Sequence, residues 1–194
     1  IIIEDWIGRH ERGVGWDPHP ISLRLLCWGK LLLTEGALPD ETKDAMLRSM
    51  ADQAETLSQG LEIRLQANHL LSNLIGVVFA GMLFEGSRAD DWLARVEFFE
   101  AELAAQVHAD GGHEERSPMY HSLLLEGILD LLNLASASPR ATAAIWTRAS
   151  RLGAGTRRAG ACRATWATAC RCCAPPATGA RCVHATGMVR AAWS

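Results

Sequence analysis

The sequence has no apolar run long enough to cross a membrane and few segments typical of β-strands. A membrane-spanning helix needs about 20 consecutive apolar residues, so we expect no membrane insertion. Strands are recognised as short alternating or β-branched runs between turn residues, and their scarcity excludes a fold built on sheets. At the start, IIIEDW places acids directly after three apolar residues, so no signal-peptide core is visible. Because Met is also absent there, we expect the natural N-terminus to lie upstream.

Acidic residues are missing from the last third of the chain. Residues 1–130 hold all 22 acidic residues, whereas residues 131–194 hold nine arginines, five of the six cysteines and no Asp, Glu or Lys. Helical periodicity also fails from about residue 136. This composition is typical of a GC-rich gene read out of frame, and we interpret residues 138–194 as a frameshifted or disordered tail that forms no domain. The shift in reading frame would fall between residues 137 and 151.

Helical patterns dominate what is present. Apolar residues make up 48% of the chain, and they recur at helical spacing over five segments. The predicted helices cover 21–35, 41–65, 69–84, 90–108 and 119–134, after a loop at 1–20 that is rich in Gly and Pro. The segment 69–84 is apolar nearly all round, which predicts burial on every side.

The pattern therefore predicts an all-α domain of antiparallel helix hairpins over residues 1–137. Such hairpins form a bundle, a solenoid or an α/α toroid. No repeat of fixed period is visible, which disfavours a regular solenoid.

One polar stretch, QVHADGGHEERSPMYH (106–121), gathers titratable side chains around two glycines and a proline. Such loops on a rigid scaffold often carry function. Tyr120 and His121 open a helix directly after a Ser-Pro turn, so their side chains can face a cleft. Tyr120, the only tyrosine, could equally be a packed aromatic whose hydroxyl is hydrogen-bonded.

A second stretch, Asn68-His69 in QANHLLSN, is the expected partner of the first, and we predict that the two meet across a helical cleft. The simpler interpretation is that Asn68 is an N-cap of the buried helix. His69 could likewise be a hydrogen-bonded core residue.

We predict no metal site and no cofactor. The spacing of His108, Asp110, His113 and His121 matches no paired-histidine zinc helix. The tail does hold zinc-type ligands, but their pairing is irregular. They are Cys170, Cys172, Cys173, Cys182 and His184.

Together these segments resemble the heparinase II/III family of polysaccharide lyases, in its N-terminal helical domain. The resemblance lies in GWDPHPISLRLLCW (15–28), in LEIRLQANHLLSNLIGVVFAGMLFEG (61–86) and above all in DGGHEERSPMYH (110–121). It implies an incomplete α/α toroid, with none of the β-sandwich domain that follows in relatives. A chain without that domain is expected to be a weak or inactive catalyst.

The resemblance also implies a reaction, the β-elimination of uronic-acid polysaccharides such as glycosaminoglycans or alginate. Asn68 and His69 would hydrogen-bond the uronate carboxylate as charge develops on it. Tyr120 matches the catalytic tyrosine and would act as acid, or as acid and base. His121, His113, Arg116 and Glu115 would bind substrate or fix the loop.

The resemblance implies an acidic polysaccharide as the partner and a periplasmic or extracellular location. We expect no nucleic-acid partner. Two alternatives stay open, a non-catalytic sugar-binding or scaffold module and a glycoside hydrolase. The hydrolase would need two carboxylates flanking the scissile bond, and the neighbours Glu114 and Glu115 would point apart.

Overall fold

A computed structural model describes residues 2–11 and 13–137 of the chain. Within them, seven α-helices and one short 3-10 turn, Val14–Trp16, follow one another, and the only β-pairing is the isolated bridge between Val107 and His113. The all-α prediction is confirmed. The helices are α1 Ile2–Arg9, α2 Pro18–Leu32, α3 Asp40–Gln59, α4 Ala67–Leu83, α5 Ser87–Leu93, α6 Val96–Gln106 and α7 Pro118–Ala137.

The centre of the fold is α4, which packs against α2, α3, α5, α6 and α7. Every residue from Leu70 to Leu83 is buried, as expected of a helix without a polar face. At about 25 cal/mol for each Å² of apolar surface removed from water, its side chains contribute much of the hydrophobic stabilisation. The first turn of α4 is left at the edge of this core, where it can carry a site.

Two glycines let the neighbouring helices approach α4 closely. A Cβ on Gly76 would lie 2.9 Å from the Cα of Ser22 on α2, and one on Gly127 of α7 would lie 3.1 Å from a methyl group of Ile75. Carbon atoms pack without strain at about 3.5–4.0 Å. A side chain at Gly76 would therefore push α2 away, and one at Gly127 would force a smaller adjustment of α7.

The prediction of a loop over residues 1–20 is wrong, because residues 2–9 form helix α1. The indole ring of Trp6 packs edge-on against Trp28 of α2 at 5.5 Å between ring centroids. The Arg24 guanidinium lies 4.0 Å over the Trp6 ring and donates to Gln53 Oε1. Burial lowers the pKa of Arg24 to about 10, so the group stays charged at neutral pH. This tertiary contact holds a helix that the Gly- and Pro-rich sequence alone does not indicate.

Other helix boundaries differ from the expectation. The helix predicted at 90–108 is two helices, α5 and α6, separated at residues 94 and 95. The helix predicted to start at 69 begins at Ala67, so Asn68 lies inside the first turn of α4 and is not its N-cap. On α2, Leu23 and Cys27 face solvent, while Ile21 and Leu25 are buried.

The inward stripes that apolar spacing predicts for residues 46–61 and 92–107 are buried except at their last positions, Leu61 and Val107, which are partly buried. The stripe residues that lie within α3, α5 and α6 are at most 4% exposed. They are Met46, Met50, Ala54 and Leu57 on α3, and Trp92, Val96, Phe99 and Leu103 on α5 and α6. The incomplete toroid and the domain limits stay predictions. The expectation for residues 138–194 falls outside the described residues, and no described helix is long and apolar enough to cross a membrane.

Candidate functional site

The polar stretch predicted from the sequence forms a compact turn between α6 and α7. Its two ends pair across the bridge, with the Glu114 backbone N–H donating to the carbonyl of Gln106 at 2.8 Å. At the tip, the Gly112 backbone N–H donates to Asp110 Oδ1 at 2.9 Å, and Gly111 adopts a positive φ of 90°. Glycine takes this conformation without steric cost, so the turn is ordered by its own backbone.

His113 lies inside this turn and is only 4% exposed. Its Nδ1 accepts from the Glu115 backbone N–H at 3.4 Å, so the proton of the neutral ring is on Nε2, which donates to Gln106 Oε1 at 3.1 Å. Burial holds the pKa of His113 below its usual range. The neutral ring links the end of α6 to the loop that leads into α7.

Glu115 joins this loop to α4. Its carboxylate accepts from the Asn68 backbone N–H at 2.9 Å and from Asn68 Nδ2 at 2.7 and 3.0 Å. The first N–H groups of a helix have no partner within the helix, and an anion there also interacts well with the helix dipole. The backbone hydrogen bond from Asn68 lowers the pKa of Glu115, so the carboxylate is ionised at neutral pH.

Backbone strain accompanies this junction. Among the described residues, the non-glycine positions with positive φ are Gln66 (55°), Ala67 (49°) and Arg116 (54°). Two of them directly precede Asn68, and the third directly follows Glu115. Such conformations cost about 1–3 kcal/mol each and cluster at functional sites.

His69, the next residue on α4, faces a second carboxylate. Its Nδ1 lies 3.3 Å from each carboxylate oxygen of Glu62. Glu62 is held in turn by Asn73, whose Nδ2 donates to Oε2 at 3.1 Å and whose Oδ1 accepts from the Glu62 backbone N–H at 2.9 Å. The His69 ring also stacks on His19 of α2, with 4.5 Å between the ring centroids. The side chain remains 41% exposed and accessible to a ligand.

Tyr120 and His121 lie in the first turn of α7, as predicted. The Ser117 side chain accepts from the Tyr120 backbone N–H at 3.4 Å, and the Ser117 carbonyl accepts from the His121 backbone N–H at 3.0 Å. Both side chains are partly exposed, and Arg116 is exposed. The turn thus places these side chains on the same short segment as Glu115.

Three residues of the site were not expected from the sequence, namely His19, Glu62 and Asn73. His19 and Glu62 are far apart in the chain, and no fixed spacing connects them with His69. Both do lie within the segments 15–28 and 61–86 that carried the family resemblance. A search of those segments for polar residues next to proline would have found His19, whereas no such local signal marks Glu62.

These observations define an all-α domain with a polar site at the N-terminus of its central helix. The sequence of residues 9–144, more than half of the chain, matches the family described as "Heparinase II/III N-terminus". The chain belongs to the heparinase II/III family, and all the residues of the polar site described in this subsection lie within the matched segment. Comparison with curated proteins and with solved structures gave no match.

Proposed function

We propose that this chain forms one wall of the active site of a polysaccharide lyase acting on uronic-acid polymers. The family membership supports the class of enzyme. The observation that carries the proposal is the contact between Glu115 and Asn68, because it brings the loop leading to Tyr120 against the start of α4. An acidic polysaccharide substrate also favours a periplasmic or extracellular location.

In a β-elimination, a base removes the proton on the carbon next to the uronate carboxylate. The bond between the adjacent carbon and the glycosidic oxygen breaks, a carbon–carbon double bond forms, and an acid protonates the departing oxygen. Negative charge grows on the carboxylate as the proton leaves, so catalysis requires donors that strengthen their hydrogen bonds to it at that point.

We assign this role to Asn68 and His69. The side-chain amide of Asn68 has two N–H groups. One of them can donate to both carboxylate oxygens of Glu115, which leaves the other to donate to a ligand. The Nδ1 side of the His69 ring faces Glu62, which leaves the Nε2 side to donate to the substrate carboxylate. Glu62 and Asn73 then orient the ring, much as carboxylates orient histidines in other enzymes.

Tyr120 is proposed as the group that protonates the departing oxygen and, where both groups share one face of the sugar, also takes the proton. His121 and Arg116, which are accessible beside it, supply contacts or positive charge to an anionic polymer. His113 is buried and hydrogen-bonded, so in this proposal it positions the loop and does not touch substrate.

The test is incubation of the protein with uronate polymers, followed by ultraviolet absorbance of the new double bond conjugated to the carboxylate. The 194-residue chain and a version with the downstream reading frame restored are compared. Absorbance supports the lyase. Reducing sugar without absorbance indicates hydrolysis, and retention on the polymer with neither signal indicates a non-catalytic sugar-binding module; both results would overturn the proposal.

A further inference from the structure

Three side chains from separate parts of the sequence converge beside α4. They are His19 in the first turn of α2, Glu62 in the segment between α3 and α4, and His69 in the first turn of α4. One nitrogen or carboxylate oxygen from each lies within 4.8 Å of the other two, and all three side chains are partly buried. We propose that His19, Glu62 and His69 bind a divalent zinc-class ion.

The distances within this cluster suit such an ion. Zinc is held at about 2.0–2.1 Å by histidine nitrogens and carboxylate oxygens in a tetrahedron, which separates the ligand atoms by about 3.3–3.4 Å. His69 Nδ1 and Glu62 Oε1 are already 3.3 Å apart. The donor atom of His19 lies within 4.8 Å of the other two, so the His19 ring has to turn out of its stack on His69 and move closer to them to complete the set.

The environment of His19 also favours a bound metal ion, independently of the distances within the cluster. The Nδ1 atom of His19 is buried, and no atom of the described part of the chain forms a hydrogen bond with it. A buried polar atom without a partner costs about 1–3 kcal/mol, and coordination of a metal by Nδ1 removes that cost. The flanking Pro18 and Pro20 hold this first turn of α2 in place, so the ring is presented by a rigid segment.

The charge of the cluster favours a metal over two extra protons. Two protonated rings stacked at 4.5 Å would repel each other. A single cation avoids this repulsion: once the His19 ring turns out of the stack, one in-plane lone pair from each ring and the Glu62 carboxylate can bind the same ion.

The ligand types select the ion. Two imidazoles and one carboxylate suit zinc, whereas calcium and magnesium prefer oxygen ligands throughout. Three protein ligands leave a fourth position for water. This proposal does not depend on the lyase function, because binding is measured without any substrate.

The first experiment is calorimetric titration of the metal-free 194-residue chain with Zn²⁺. Cysteines in the tail could bind zinc by themselves, so the chain is also titrated with serine at five positions. They are Cys162, Cys170, Cys172, Cys173 and Cys182. We expect one Zn²⁺ bound per chain in the serine form. Absence of saturable binding at micromolar concentrations in the serine form would overturn the proposal.

Matched variants in the serine form locate the site. His19→Gln should weaken Zn²⁺ binding by at least about 100-fold, since loss of a residue merely behind a ligand typically costs about 10–100-fold. His108→Gln removes an exposed histidine outside the cluster and should leave the affinity unchanged. Equal affinities for these two variants would refute the assignment.

Nuclear magnetic resonance locates the zinc without any substitution in the cluster itself, so an effect of such a substitution on folding does not enter. In the ¹⁵N-labelled serine form, Zn²⁺ should shift the ring nitrogens of His19 and His69 and leave those of His108 and His121 in place. Shifts confined to other histidines would place the zinc elsewhere and overturn the proposal.

Discussion

The carboxylate of Glu115 accepts three hydrogen bonds from Asn68, one from its backbone N–H and two from Nδ2. The two residues are 47 positions apart in the chain. This contact provides an acceptor for a backbone N–H in the first turn of α4, where no partner exists within the helix. It also fixes the loop between α6 and α7. Stability of the helix start and placement of the proposed site therefore depend on the same carboxylate.

Removing this carboxylate should destabilise the fold. Glu115→Ala leaves the N–H groups of Asn68 without their acceptor, and we expect the free energy of unfolding to fall by about 1–2 kcal/mol, as for lost helix caps. Glu115→Gln keeps one acceptor oxygen and should lose less. Urea unfolding of the three proteins measures the difference, and equal midpoints for all three would contradict the structural role of Glu115.

The free energies of unfolding of the wild type and of Glu115→Gln should depend differently on pH. The folded chain binds a proton at Glu115 less readily than the unfolded chain, because the hydrogen bonds from Asn68 lower its pKa. Its contribution is present above the unfolded pKa of about 4.3 and is lost as pH falls through the folded pKa. The gap between wild type and Glu115→Gln should therefore shrink in acid, and a gap that stays constant from pH 7 to pH 3 would argue against the ionised contact.

His113 should make the protein less stable in mild acid. Burial lowers its pKa, so its contribution to stability is complete above the unfolded value of about 6.5 and is lost as pH falls through the folded pKa. His113→Gln should lower the melting temperature at pH 7.5 and flatten its decline towards pH 5. His108→Gln, at an exposed position, is the control and should stay close to the wild-type slope, because His108 makes the smallest of the contributions to the lowered pKa of His113. His19, whose pKa is also lowered, is present in all three chains and cancels in the comparison.

Tyr120→Phe should abolish the proposed elimination without unfolding the chain. The contacts that order the first turn of α7 come from the backbone N–H groups of residues 120 and 121, which the substitution leaves intact. Ultraviolet absorbance of the product measures the rate in the frame-restored protein, and circular dichroism checks the fold. A variant that retains most of the wild-type rate would remove Tyr120 from the mechanism. Tyr120 is the only tyrosine, so tyrosine fluorescence cannot be used to follow the variant.

Close packing of α2 on α4 should make Gly76 intolerant of a side chain. In Gly76→Ala the new Cβ would meet the backbone of Ser22 at 2.9 Å, and overpacking of this kind costs about 1–3 kcal/mol. Gly8→Ala, in a helix with open space around the added carbon, should be neutral or stabilising by up to about 1 kcal/mol. Thermal unfolding compares the two, and similar melting temperatures would contradict the close approach of these helices.

The sequence predicted the helices whose signals are local and strong. The apolar residues of α4 and the inward stripe of α3 follow from spacing alone, and both are buried as expected. Helix α1 was missed because its contacts with Trp28 and Arg24 come from α2. The break between α5 and α6 was missed because residues 94 and 95 carry no Gly or Pro to mark it.

For the site, the family motifs supplied Asn68, His69 and Tyr120 as candidates, and their roles remain predictions. The sequence by itself determined the helical class, the buried central helix and the ordered start of α7, because each depends on residues within one or two turns. Only the tertiary structure decided that Glu115 reaches Asn68 and that His19 and Glu62 meet His69. Contacts between residues so distant in the chain depend on how α2 and the loop before α7 pack against α4, and no local pattern encodes that packing.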